Sequence, residues 1–80
     1  MTTRVRLAVL GLGRWGVHLL RNFLALPQAQ VVAVVDPTGA ALERAASQFE
    51  LGPEVQQLKD WREILQIEGL EAVAIATPAA

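Results

Sequence analysis

The stretch Val5-Arg6-Leu7-Ala8-Val9-Leu10-Gly11-Leu12-Gly13-Arg14-Trp15-Gly16 decides how this chain of 80 residues folds. A largely apolar run enters a G-x-G-x-x-G turn. A second run, Val31-Val32-Ala33-Val34-Val35, then delivers Asp36 twenty positions after Gly16. From Val5 to Val35 is 31 residues, matching a strand–helix–strand unit of about 30. A strand, a glycine turn, a helix and a second strand ending in an acid are the parts that hold a dinucleotide. A bare glycine turn of this spacing is common in α/β proteins that bind nothing there. The distance to Asp36 is what gives it meaning.

Each glycine has a separate expected task. Gly11 lets the chain turn sharply out of the strand, Gly13 removes a Cβ that would hold a pyrophosphate off the backbone, and Gly16 lets the helix lie close to the sheet. The helix beginning near Arg14 leaves its first N–H groups without intrahelical partners. With the positive end of the helix dipole they form an anion site made of backbone. Arg14 and Trp15 therefore enter first through their amides. The Arg14 guanidinium either adds charge near the phosphates or stands exposed on the helix shoulder. Asp36 falls where a carboxylate accepts both hydroxyls of an adenosine ribose.

The remaining chain alternates strands and helices. Residues 4–10 give the first strand, and residues 14–26 a helix with Gly16, Leu20, Phe23 and Leu24 inward, stopped by Pro27. His18 falls on its polar side and is expected to be solvated. After Asp36-Pro37, Thr38 is a candidate N-cap for a helix over 39–50 with Leu42, Ala45, Ala46 and Phe49 inward, ended by Gly52-Pro53. A short strand over 54–58 follows. Asp60-x-x-Glu63 then has the form of a capping box opening a helix to about Ile67, with Trp61, Ile64 and Leu65 as core, ligand stacking being the alternative, and Gly69 as its stop. Ala72-Val73-Ala74-Ile75-Ala76 reads as a fully buried strand. The expected fold is α/β: a Rossmann-type parallel sheet, βαβαβαβ, with right-handed crossovers giving strand order 3-2-1-4. Thr77-Pro78 then stands at the switch point beside the first strand, as a wall of the crevice or simply as a hydroxyl ending a strand.

Composition excludes several functions. A net charge of −1 offers no basic footprint for nucleic acid or anionic lipid. Without cysteine there is no disulfide framework, thiolate nucleophile or zinc–thiolate site, and one histidine argues against a metal. The apolar part of the start is seven residues long, holds two glycines and is cut by Arg14, unlike a signal peptide. No uncharged apolar stretch approaches the roughly 18 residues of a membrane helix. A soluble, cytoplasmic protein without membrane or nucleic-acid partners is expected.

The run Leu7 to Gly16, then Val31 to Pro37, then Ala72-Val73-Ala74-Ile75-Ala76-Thr77-Pro78, resembles the amino-terminal part of the Gfo/Idh/MocA oxidoreductases over essentially all 80 residues. Many members have Asp where this chain has Glu71. The resemblance implies an NAD- or NADP-dependent enzyme moving a hydride to or from a sugar, cyclitol or related small molecule. It implies that Gly11, Leu12, Gly13, Arg14, Trp15 and Gly16 line the pyrophosphate, that Asp36 holds the adenosine ribose, and that Thr77 and Pro78 border the nicotinamide side. It further implies that residues 1–80 are a partial dinucleotide-binding domain, truncated before a Glu-Lys-Pro segment whose lysine is tied to catalysis. The domain that holds substrate would also be absent. No catalytic or metal-ligating residue is assigned.

NAD is favoured over NADP, because the Asp36 carboxylate repels a 2′-phosphate and Pro37-Thr38-Gly39 supply no cation. Leu20 stands where flavin sites often want a small residue. Two rivals differ in class: a non-catalytic nucleotide sensor, and an S-adenosylmethionine domain, whose glycines are usually spaced G-x-G-x-G where this chain has Trp15. The fourth strand should leave one sheet edge unpaired, making the isolated chain marginally stable or prone to associate through that edge.

Overall fold

The computed structural model describes residues 4–76, and its elements run β1 (Val5–Leu10), α1 (Arg14–Ala25), β2 (Ala29–Val35), α2 (Gly39–Gln48), β3 (Gln56–Leu58), a 3₁₀ helix (Trp61–Gln66) and β4 (Ala72–Ile75). All strand pairs are parallel, and the sheet order is β3-β2-β1-β4. The expected Rossmann-type order is therefore present.

Two apolar layers sandwich the sheet. Leu7, Val9, Val31 and Val34 pack with Leu20 of α1 and with Ala41, Leu42 and Ala45 of α2. Ala8, Leu10, Ala33 and Val35 face Ile64 of the 3₁₀ helix, with Leu58, Ile67 and Leu70 around it. Both faces of the two central strands are covered, which is why their sequences are unbroken apolar runs. The register slips between Leu7, which pairs with Val31, and Ala8, which pairs with Ala33. Val32 is thus the extra residue of a bulge, and this lets Val31 and Ala33 face opposite layers.

Helix ends follow local rules. Leu26 caps α1 in an extended conformation, φ −86° and ψ 122°, as the residue before a proline prefers. The second helix stops earlier than expected. Its cap is Phe49, and Glu50 takes a left-handed φ of 51°. Leu51 N–H then donates to the Ala46 carbonyl at 3.0 Å and Glu50 N–H to that of Ser47 at 3.4 Å. This is a Schellman closure made with glutamate, so Gly52-Pro53 lies beyond the helix and does not end it. Thr38 occupies the N-cap position without a side-chain hydrogen bond.

Three further expectations are corrected. The segment after Asp60 is a 3₁₀ helix, which rises about 2.0 Å per residue instead of 1.5. Only 13 residues separate Leu58 from Ala72, and they must cross from one sheet edge to the other. The longer rise provides that reach. Its three-residue period buries Ile64 and half-buries Ile67 and Leu70, whereas Trp61 and Leu65 are 55% and 77% exposed. Asp60 does cap this helix, but its carboxylate accepts from Arg62 N–H at 2.9 Å and pairs with the Arg62 guanidinium at 2.8 Å. Glu63 donates its backbone N–H to the Asp60 carbonyl, so the expected capping box is replaced by an Asp60–Arg62 clamp. The Arg62 guanidinium and backbone N–H hold the Asp60 carboxyl below the usual carboxylate range. The clamp therefore stays closed above that range and opens only as pH falls through the lowered value.

The strand β4 is an edge, and Ile75 is 67% exposed, so it is not the fully buried strand expected. Leu24, expected to face inward, is likewise exposed on α1.

The left-handed glutamate makes a direct test. Glu50→Gly should stabilise the fold by about 0.5–1 kcal/mol, because glycine escapes the Cβ strain at the cost of some unfolded-state entropy. The urea midpoint should rise with an unchanged slope; a lower midpoint would contradict the assignment.

Candidate functional site

Strands β1 and β2 deliver the glycine turn and Asp36 to one place. At their carboxyl ends lies a cleft of about 350 Å³ lined by Leu10, Gly11, Gly13, Val35, Asp36, Pro37, Lys59, Trp61 and Ala76. This is the side of an open α/β sheet where ligands bind.

The three glycines differ in what surrounds them. Gly11 has φ +91°, which side chains disfavour, and its N–H still pairs with the Val35 carbonyl at 2.7 Å. A Cβ on Gly16 would overlap the Gly11 carbonyl oxygen, so glycine there is what allows α1 to start hard against the turn. Gly13 is different. Its φ of −74° suits any residue, and an added Cβ would meet nothing within 4 Å. Nothing in the polypeptide requires glycine at position 13. Its bareness opens the backbone to the space in front of the α1 tip, where no side chain caps the helix. The orphan N–H groups of the first turn and the open face of Gly13 together fit a diphosphate.

Asp36 already has protein partners. One carboxylate oxygen accepts from Leu12 N–H at 2.8 Å and the other from Thr38 N–H at 2.8 Å. The carboxylate thus ties the glycine turn to the start of α2. Each oxygen keeps a second lone pair, enough for the two hydroxyls of a ribose.

The remaining expected residues divide. Leu12 spends its amide on Asp36 and buries its side chain in the helix-side layer, so it shapes the turn without offering a donor to the cleft. Gly16 is buried in the first turn of α1, against the Gly11 carbonyl. The Arg14 and Trp15 side chains are exposed, and the Trp15 ring sits 6.1 Å from that of solvent-facing His18. Thr77 and Pro78 lie outside the described residues. Ala76 reaches the rim and donates its N–H to the Leu10 carbonyl at 2.8 Å.

Lys59 is an addition to the expected site, and Trp61, expected as core with ligand stacking as its alternative, lines the cleft. Val35 pairs with Leu58, and Asp36 N–H donates to the Leu58 carbonyl at 3.0 Å, so the next step along β3 sets Lys59 beside Asp36. The cation missing from the residues after Asp36 in sequence comes instead from across the sheet. Pairing register was the absent information. Trp61 was misplaced because a 3.6-residue period was assumed. Among the described residues no three acidic or histidine side chains gather as metal ligands, and no helix is long and apolar enough to cross a membrane.

Comparison with known proteins agrees with this geometry. Residues 5–80 match the Gfo/Idh/MocA family model, described as an oxidoreductase family with an NAD-binding Rossmann fold. The chain is 42% identical over 79 residues to scyllo-inositol 2-dehydrogenase (NAD(+)) of Bacillus subtilis strain 168, covering 98% of this chain and 22% of that protein. It is 32% identical over 83 aligned positions to a glycosyl hydrolase family 109 protein of Stenotrophomonas maltophilia strain K279a, covering 94% and 18%. Among solved structures, GenD2 of gentamicin A biosynthesis, in complex with NAD, superposes with a TM-score of 0.84 at 28% identity, covering all of this chain and 22% of that one. The chain thus spans about a fifth of the length of its relatives.

The two inner glycines should behave oppositely. Gly16→Ala forces the helix off the turn and should cost about 3 kcal/mol or more. Gly13→Ala should cost only about 0.5 kcal/mol, as an N-cap change, yet weaken dinucleotide binding at least tenfold. Melting and titration of both variants check this. Equal affinity in Gly13→Ala and the unaltered chain would remove Gly13 from the site.

Proposed function

The chain belongs to the Gfo/Idh/MocA oxidoreductase family, with its NAD-binding Rossmann fold, and from that premise we propose how its residues serve the whole protein. It is the NAD-binding part of an oxidoreductase. In the proposed arrangement the open backbone at Gly13 and the first amides of α1, those of Arg14 and Trp15 included, receive the diphosphate. Gly11, Leu12 and Gly16 give the turn its shape. Asp36 clasps the adenosine ribose, and Thr77 and Pro78 border the nicotinamide end. The bound nicotinamide supplies hydride chemistry; this chain's own residues bind and orient it. The substrate is a sugar, cyclitol or related small polyol, held by a part of the protein beyond these residues.

The observation that carries this most is the void in front of Gly13, opening into the same cleft as Asp36. Because a Cβ at position 13 would meet no protein atom, the glycine leaves its backbone open to a ligand in that cleft. The 42% identity to an NAD-dependent inositol dehydrogenase supports the choice of polyol. Family membership removes the S-adenosylmethionine alternative. The likeness to a glycosyl hydrolase family 109 protein supports a second outcome, in which the same NAD-binding part serves glycoside cleavage. A non-catalytic sensor is the third. With the whole protein, net NAD reduction at 340 nm by inositols or free sugars marks the dehydrogenase, NAD-dependent release of the phenol from aryl glycosides without net NADH marks the glycosidase, and neither marks the sensor.

The free edge of β4 and its exposed Val73 and Ile75 form the surface through which isolated copies of the chain would pair. Sedimentation velocity should show a concentration-dependent rise in mass; a monomer at every concentration would reject that pairing.

Cofactor choice rests on two opposed charges. Asp36 repels a 2′-phosphate, while Lys59 lines the same cleft, and among the described residues the one ion pair is Arg62–Asp60. Preference for NAD should therefore be moderate. Asp36→Asn should weaken NADH about tenfold, by loss of one charge-assisted hydrogen bond, and should improve NADPH relative to NADH. An unchanged NADH-to-NADPH affinity ratio would reject Asp36 as the selector.

A further inference from the structure

Among the described residues that line the cleft, Trp61 is the one aromatic side chain. The 3₁₀ helix is anchored through Ile64, Ile67 and Leu70, and Trp61 precedes this row by one three-residue step, where the row runs off the sheet and onto the cleft. More than half of Trp61 is exposed there, with Pro37 and Asp36 among the other lining residues. Its backbone is held firmly. Asp60 accepts the Arg62 N–H and grips the guanidinium through both oxygens, at 2.8 to 3.2 Å. The turn that presents the indole is thereby closed on one side and pinned by the buried Ile64 on the other.

We propose that Trp61 is the purine platform of this site, offering its indole face to the adenine of the dinucleotide. The inference rests on the ribose assignment of Asp36. Once the 2′- and 3′-hydroxyls face that carboxylate, the base attached at C1′ lies a few ångströms away, and the neighbouring surfaces of the cleft are Trp61 and Pro37. Both are flat and apolar, suited to a base read by its face. Lys59, in the same lining, adds a cation to the cleft that Trp61 shares. Stacking on an aromatic residue changes affinity by about five- to hundredfold per base, so the platform is a principal contributor to holding the adenosine half.

The test titrates the full chain with NADH, AMP and nicotinamide mononucleotide by calorimetry. Trp61→Ala should weaken NADH and AMP about tenfold or more and leave nicotinamide mononucleotide unaffected, and Trp61→Phe should recover most of the loss. In a Trp15→Phe background, AMP should quench the remaining indole emission. Equal AMP affinity in Trp61→Ala and the unaltered chain, with NADH still bound, would overturn the platform while leaving the dinucleotide site standing. Equal loss for all three ligands would also overturn it, marking Trp61 as structural. If the unaltered chain binds neither NADH nor AMP, the site assignment falls and the platform with it.

Discussion

Everything at this site depends on how closely the first turn of α1 approaches the end of β1. The contact is between Gly16 and the Gly11 carbonyl, with no room for a methyl group. It presses the helix tip onto the strand end, beside the crevice that Gly11 and Gly13 line, with no side chain capping its first N–H groups. A helix displaced by the width of one Cβ would still pack its Leu20 on the sheet, but its amides would no longer converge in front of Gly13. Affinity for an anion at such a tip comes from backbone dipoles held in fixed geometry, so the packing contact and the proposed diphosphate binding would be one constraint.

Asp36 adds a second economy. Its carboxylate is at once a structural tie, bonded to Leu12 and Thr38 N–H, and a free acceptor at the mouth of the cleft. The tie orients both oxygens before any ligand arrives, which lowers the ordering cost of binding. In the proposed arrangement the two tasks share one carboxylate, so changes at position 36 would move stability and affinity together. Lys59 and Trp61, delivered by β3 and by the turn clamped through Asp60 and Arg62, complete a wall that is charged at one end and apolar at the other.

Much of this was legible in the residues. The runs Val5–Leu10 and Val31–Val35, the glycine spacing and the alternation of elements determined the sheet order, because parallel strands buried on both faces and right-handed crossovers leave few alternatives. What escaped were features set by geometry between segments. The bulge at Val32 is invisible within an all-apolar run. The left-handed Glu50 hid behind the more obvious Gly52. Trp61 and Leu65 satisfied a helical period that the short crossover could not accommodate, and Lys59 reaches Asp36 only through strand register. The site was readable where one segment carried it and obscure where two segments met.

In the proposed complex, bare amides at the α1 tip grip the diphosphate while Asp36 holds the ribose. The most direct measurement is amide and carboxylate chemical shifts during titration with NAD. Saturable, co-titrating shifts of the Gly13, Arg14 and Trp15 amides and of the Asp36 carboxylate carbon are predicted. Binding that shifts other residues while leaving these unmoved would contradict it.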